Sequence, residues 1–322
     1  MSECFSQFLS KPSPLSIQHM SLDHKIMYSR KVIQEFHEGM DGQTCVSFSG
    51  GKDSSVLLHL VRSMYPDTPA VFYDTGLEFP DIVDHVKRHD NVKIIRPTYK
   101  ENGIEKRLTF KRVIERFGYP VIGKEVAHYV ELARNGSPSG LERMERTGRY
   151  GYKKWSFLVD APFRISSKCC DKLKKGPAKR YYKETGLGQF IGSRNEESQR
   201  RESQWILLGD NRFNIEIPSS NPLSIWLSKD IDAYIERYKI ELSDVYTKMG
   251  YERTGCMFCM FGVHLDGTPN RFQIMKRTHP KQYDYCMRPI GGGGLGLAEI
   301  LRFINVDSGY DQTSLSEFGG DD

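Results

Sequence analysis

Two groups of residues in this sequence have the types and spacing to do chemistry. The first is Ser47-Phe-Ser-Gly-Gly-Lys-Asp-Ser-Ser55. Gly50 and Gly51 can turn sharply and leave backbone N–H groups open at the N-terminus of a following helix, where the helix dipole favours an anion. Lys52 adds a mobile cation, and Ser47, Ser49, Ser54 and Ser55 add hydroxyls. The stretch therefore reads as a pyrophosphate cradle. It is not a Walker A loop, which needs four residues between its first glycine and Gly-Lys-Ser/Thr. The second group is the adjacent pair Cys169-Cys170 and the Cys-x-x-Cys of Cys256 and Cys259. Four thiolates make a complete ligand set for a metal centre. Zinc is one candidate, since Cys-x-x-Cys is a common zinc half-site. Adjacent cysteines point in different directions, which suits separate corners of an iron–sulfur cube better.

These residues need elements to position them. Gln43 to Phe48 is a short apolar run ending in small residues, the pattern of a central strand, and Val56, Leu57, Leu58, Leu60 and Val61 form a helical stripe behind the loop. Pro69–Tyr73 and Val92–Ile95 are predicted as further strands, with a helix over Pro80–Arg88 between them. Strand and helix alternation predicts an α/β fold with a doubly wound, mostly parallel sheet. An N-terminal helix is predicted over Ser21–Gly39, with Ile26, Met27, Val32, Ile33 and Phe36 as its buried face. Between residues 109 and 183 helical periodicity dominates, and 135–152 is expected to be a mobile loop able to close over a site. Gly188–Gly192 restores a strand and leads into a polar stretch, Ser193–Arg201. A helix over Ser228–Tyr238 is expected to be N-capped by Ser228. The glycine run 291–294 and the acidic end suggest a flexible or peripheral tail. The expected division is an N-terminal helical extension (1–43), an α/β nucleotide domain (44–220) with a helical insertion (109–183), and a C-terminal helical, cysteine-bearing region (221–322).

The 322 residues carry 46 basic and 41 acidic side chains, a net charge of +5, which neither demands nor excludes nucleic acid. Basic residues concentrate in Lys168–Lys183, either a solvated helix face or an anion-binding surface. No apolar run reaches membrane-spanning length, and Met1-Ser-Glu-Cys-Phe lacks the order of a signal peptide. The expected location is the cytoplasm. There, clustered cysteines favour metal or redox chemistry over structural disulfides.

Ser49-Gly-Gly-Lys-Asp-Ser54 matches the PP-loop of the N-type ATP pyrophosphatases. The ordered motifs as a set resemble the phosphoadenosine phosphosulfate (PAPS) reductase family within that superfamily. Beyond the loop they are Asp74-Thr-Gly-Leu-Glu-Phe-Pro80, Gly118-Tyr-Pro with Lys124, and Cys169-Cys170 with Lys174. Further along come Gly192-x-Arg194-x-x-Glu197-Ser198 with Arg201, Pro222 with Trp226, and Gly250-Tyr-Glu-Arg-Thr-Gly-Cys256-x-x-Cys259. The resemblance implies a fold like that of the adenine nucleotide alpha hydrolases. It also implies nucleotide contacts from Asp74, Thr75 and Arg194 and, as in cluster-bearing adenylyl-sulfate reductases, a [4Fe-4S] cluster on the four cysteines. Lys52, Asp53, Arg194 and Arg201 are the expected catalytic residues. Because Asp53 beside a triphosphate is repulsive without a cation, Mg²⁺ is expected, with Asp53 as a direct or water-mediated partner.

Sulfonucleotide reductases usually carry a degraded loop and a nucleophilic cysteine in a Glu-Cys-Gly-Leu-His tail. Here the loop is intact and that tail is missing, with Cys286 the only late cysteine. The expectation is an ATP pyrophosphatase that adenylates a substrate oxygen during sulfur transfer, as in tRNA or DNA thiolation. Its expected partners are ATP, a nucleic-acid substrate, a cysteine desulfurase or other sulfur donor, and further copies of the chain or a larger complex. The alternatives are a reductase of adenylyl sulfate (APS) or PAPS, and a nucleotide-binding subunit without turnover.

Overall fold

A computed structural model describes residues 20–148 and 150–310. Cys4 and the acidic end beyond Tyr310 lie outside the described residues. The chain forms two compact units, divided differently from the sequence-based boundaries: residues up to Thr98 join Lys174–Thr254, and Tyr99–Leu173 join the chain from Gly255 onward.

The first unit is a mixed α/β layer built on a six-stranded sheet. Its strands are β1 (Thr44–Ser47), β2 (Ala70–Tyr73), β3 (Val92–Ile95), β4 (Gly188–Ile191), β5 (Asn211–Arg212) and β6 (Ser219–Ser220). They lie in the order β3-β2-β1-β4-β6-β5, all neighbours parallel except β5 against β6. The chain runs outward from β1 through β2 to β3, then returns to β4 on the other flank of β1. The order therefore reverses between β1 and β4, and open α/β sheets bind ligands at the carboxyl edge of such a switch point. The loop after β1 and the glycine after β4 both sit there. Val46, Phe48, Phe72 and Phe190 from the sheet pack with Val56, Leu57 and Leu60 of the helix Lys52–Arg62, all at most 1 % exposed.

The helix Leu22–Gly39 starts where predicted, with Ser21 accepting from the His24 amide. Its buried face is rotated from the predicted one: Met27 is 54 % exposed, while Lys25 and Ser29 are buried. Polar partners explain the rotation. Lys25 Nζ meets Asp230 at 2.5 Å, and the Ser29 hydroxyl donates to the Pro222 carbonyl while accepting from Trp226 Nε1. The helix Ser228–Tyr238 is capped differently from expectation. Leu227 is the N-cap residue and its amide donates to Asp230, which leaves the Ser228 hydroxyl to serve Glu196 and Arg194.

In the second unit Val121–Ile122 pairs in parallel with Met260–Phe261 among helices that include Phe110–Phe117, Lys124–Arg134 and Leu297–Phe303. The predicted mobile loop contains the helix Pro138–Glu145. It packs so tightly on Lys124–Arg134 that a Cβ on Gly140 would lie 2.4 Å from the Ala133 nitrogen. The glycine run 291–294 is not a peripheral tail either. It leads into Leu295, Leu297 and Leu301, all buried. Burial of these leucines fixes the segment against the second unit despite the glycines before it.

Candidate functional site

The loop after β1 turns at Gly50, whose φ of +73° favours glycine. A Cβ there would meet Ile82 at 2.8 Å and Val86 at 2.9 Å, so Gly50 faces the helix Pro80–Lys87. Its role is the turn and the close packing behind it. Ser54 braces the loop from inside: its hydroxyl accepts from the Ser49 amide at 3.2 Å and donates to the Gly51 carbonyl at 2.9 Å. The Tyr246 hydroxyl hydrogen-bonds with the Thr254 hydroxyl beside the loop, and burial raises the pKa of that phenol. The Ser49 amide, one of those expected to be open, thus already has an acceptor. Lys52 Nζ lies 3.1 Å from Asp232 and 5.7 Å from the centre of the Tyr246 ring.

The loop after β4 supplies the opposite wall. A Cβ on Gly192 would lie 3.2 Å from the carbonyl atoms of Asp53, so any side chain here would make the first turn of Lys52–Arg62 give way by a few tenths of an ångström. The approach brings Arg194 to Asp53 at 2.5 Å, with further bonds to Glu196 and to the Ser228 hydroxyl at 3.1 Å. Arg194 is only 5 % exposed and committed to protein acceptors. Burial raises the Asp53 pKa, and the Arg194 charge opposes that rise without cancelling it. Arg201 and Arg253 both pair with Glu197, which also accepts from the Arg194 amide at 3.1 Å.

Together these walls enclose a cavity of about 700 Å³, within the range of small-molecule sites. Ser47, Ser49, Gly51, Lys52, Asp53, Ser54, Arg194 and Arg201 all line it, so the structure gathers these predicted residues at one place. Lys174 lines it too, 3.9 Å from Glu78. Asp74 and Thr75 do not. Asp74 binds Arg96 at 2.9 Å and the Gly76 amide at 3.0 Å, and Thr75 binds Glu78, so that loop is folded on itself. Tyr246, Arg253, Thr254, Asp232 and Glu252 line the cavity and were missed as site residues. Arg253 belongs to the motif Gly250-Tyr-Glu-Arg-Thr-Gly, but nothing local to that motif shows which wall it joins.

The basic stretch is largely paired within the chain: Lys168 with Glu131, Lys174 with Glu78, Lys179 with Glu216, and Arg180 with Thr98. Such pairing favours the solvated-face reading.

The four clustered cysteines all lie in the second unit. Cys256 and Cys259 form a turn in which the Cys259 amide donates to the Cys256 carbonyl at 3.1 Å, directly before Met260–Phe261. The paired strand Val121–Ile122 leads into the helix Lys124–Arg134. That helix holds the other cysteine pair through Lys124–Asp171 at 2.9 Å and Glu131–Lys168 at 2.6 Å. Soft thiolates suit an iron–sulfur cluster or zinc. Among the described residues, however, no three His, Cys, Asp or Glu side chains are gathered so as to hold a metal ion. The donor chemistry fits a cluster and the side-chain placement does not close around one. The same holds for Mg²⁺. Asp53, Glu197, Asp232 and Glu252 line the cavity without converging, and Asp53 is engaged by Arg194. Cys286 is fully buried, its thiol donates to the Tyr283 carbonyl, and burial raises its pKa far above the ordinary value. It is not presented as a nucleophile.

The model of the phosphoadenosine phosphosulfate reductase domain matches residues 43–120 and 124–261. The chain belongs to this family. An uncharacterised protein of Methanocaldococcus jannaschii is 27 % identical over 285 residues, 85 % of this chain and 54 % of the relative. The chain thus spans about half the length of that relative. An adenosine 5'-phosphosulfate reductase of Geobacillus kaustophilus is 25 % identical over 213 residues, covering 66 % of this chain and 70 % of the enzyme. Among solved structures, the PAPS reductase of Candida auris aligns with a TM-score of 0.41 at 17 % identity, covering 73 % of this chain and 93 % of that one. Among the described residues no helix is long and apolar enough to cross a membrane.

Proposed function

We propose that this family member binds ATP at the β1 loop and adenylates a substrate oxygen during sulfur transfer, with RNA or DNA as the acceptor class. The observation that supports this most directly is the intact Ser49–Ser54 loop opening on a cavity lined by five cationic side chains: Lys52, Lys174, Arg194, Arg201 and Arg253. In this reading the substrate oxygen attacks the α-phosphorus, the bond from that phosphorus to the α–β bridging oxygen breaks, and pyrophosphate leaves. A sulfur nucleophile then displaces AMP from the atom that bore the adenylated oxygen, a base carbon in thiolated RNA or a backbone phosphorus in phosphorothioate DNA. Lys52 leaves Asp232 to hold the departing pyrophosphate, and Arg201 offsets the charge that develops on it. Arg194 fixes Asp53 and the start of the helix, which makes it a positioning residue. Mg²⁺ typically retains waters and binds through substrate phosphates with one or two carboxylates, so the cavity carboxylates need not form a cage of their own. A cluster on Cys169, Cys170, Cys256 and Cys259 would have a thiolate on every iron and so would supply a structural or electronic centre rather than an open iron for sulfur. A desulfurase or similar donor, and assembly with further chains, complete the proposal.

The test is pyrophosphate release from ATP in the presence of RNA or DNA, with Lys52→Ala as control. Nucleic-acid-dependent release that this substitution abolishes supports the reading. Sulfite release from adenylyl sulfate or its 3'-phosphate without ATP would overturn it in favour of a reductase using a partner's thiol. ATP binding with no turnover under any acceptor leaves the non-catalytic alternative.

A further inference from the structure

We infer that Arg253 is a phosphate-binding residue at the pyrophosphate end of the cavity, and that Glu197 is its resting counter-ion, displaced when a nucleotide enters. The inference rests on the ATP-binding reading above and adds a residue and a gate to it.

Placement comes first. The segment Tyr246–Thr254 leans on the β1 loop: a Cβ on Gly51 would meet the Tyr246 hydroxyl at 3.3 Å and Thr254 Oγ1 at 3.8 Å. The Tyr246 hydroxyl and Thr254 Oγ1 also hydrogen-bond to each other, which ties the segment into one wall. Arg253, next to Thr254, is therefore carried on the wall nearest the pyrophosphate cradle.

Commitment separates the arginines. Arg194 is buried and holds two carboxylates and a hydroxyl, so it has little left for a ligand. The Arg253 side chain is 68 % exposed and meets Glu197 at 2.9 Å, and the same carboxylate also holds Arg201. One carboxylate cannot neutralise two guanidiniums, so the pair keeps a net positive charge facing the cavity. The cavity as a whole has Lys52, Lys174, Arg194, Arg201 and Arg253 against Asp53, Glu197, Asp232 and Glu252. Five minus four leaves a net charge of only +1, little against a triphosphate. Moving Glu197 away from Arg201 and Arg253 turns both guanidiniums toward the phosphates, and the planar fork of Arg253 suits two oxygens of one phosphoryl group.

The experiment is equilibrium binding of ATP, AMP and inorganic pyrophosphate to the full chain, its Arg253→Ala and Arg253→Lys variants, and Glu197→Gln. Glutamine keeps an oxygen to accept from the Arg194 amide while removing the charge. Arg253→Ala is expected to weaken ATP and pyrophosphate about tenfold and to leave AMP unchanged, as befits one charge-assisted contact. Arg253→Lys should recover part of the loss, and Glu197→Gln should tighten ATP by roughly threefold or more. An ATP-to-AMP affinity ratio unchanged by Arg253→Ala overturns the role of Arg253. Unchanged or weaker ATP binding in Glu197→Gln overturns the gate. Either result can occur while the wild-type chain binds ATP and the proposed function stands. Failure of the wild-type chain to bind ATP overturns both.

Discussion

Replacing Arg194 by methionine separates a residue that holds the site together from one that grips the nucleotide. The guanidinium is 6 % exposed as a side chain and lies against Asp53 at 2.5 Å, Glu196 and the Ser228 hydroxyl. Removing one partner of a fully buried ion pair typically costs about 3–5 kcal/mol, because a buried charge is left alone. Here water reaches the abandoned carboxylates, since the Asp53 side chain is 30 % exposed and that of Glu196 40 %. Solvent screening lowers the expected loss to about 2 kcal/mol. In Arg194→Met/Asp53→Asn one orphaned charge is gone, and about 1 kcal/mol should return as a coupling term. Urea denaturation of the wild type, the two single variants and the double variant gives the cycle directly. If Arg194→Met changes stability by less than about 0.5 kcal/mol, as substitutions away from special contacts do, the positioning role is refuted. Strict additivity of the two substitutions would refute it as well. A loss of ATP affinity at unchanged stability would return Arg194 to the nucleotide-contact role that the family resemblance implied.

Lys25→Met should destabilise by about 3–4 kcal/mol in the same denaturation assay, because Lys25 is fully buried and Asp230 would lose the charged partner it meets at 2.5 Å. Gly192→Ala should cost about 1–3 kcal/mol through overpacking against the Asp53 carbonyl and should weaken ATP binding in titration calorimetry, since the atoms that must move begin the loop's helix. His85 is fully buried, neither ring nitrogen has a hydrogen-bond partner among the described residues, and burial together with the neighbouring His89 lowers its pKa from 6.5 to about 4. The folded value lies below the unfolded one. The contribution is therefore complete above about pH 6.5 and lost as pH falls through 4, by up to about 3 kcal/mol, and His85→Leu should flatten stability across that window. Purification without oxygen, followed by iron and acid-labile sulfide assays, should find a cluster that Cys169→Ser or Cys256→Ser removes. Equal metal content in wild type and variants would count against the thiolate set.

The sequence by itself determined the features carried by local pattern. Small residues ending an apolar run, then Gly50-Gly51-Lys52, then an apolar stripe, dictate strand, turn and helix within one short stretch. Proline at the start of Pro80–Lys87 and the apolar run 92–95 extend the same alternation to the parallel sheet. Only the tertiary structure decided which side chains meet. Arg194 is drawn to Asp53 because Gly192 permits a close approach, Arg253 joins the cavity from a segment far along the chain, and Asp74 and Thr75 turn away into contacts of their own. Periodicity gives the inward face of an element but does not identify the partner waiting there. A buried Lys25 and an exposed Met27 show the consequence, because one carboxylate at Asp230 outweighs the apolar preference of the helix face. Long-range charge pairing is a property of the folded chain, and it set the partners of the arginines in this site.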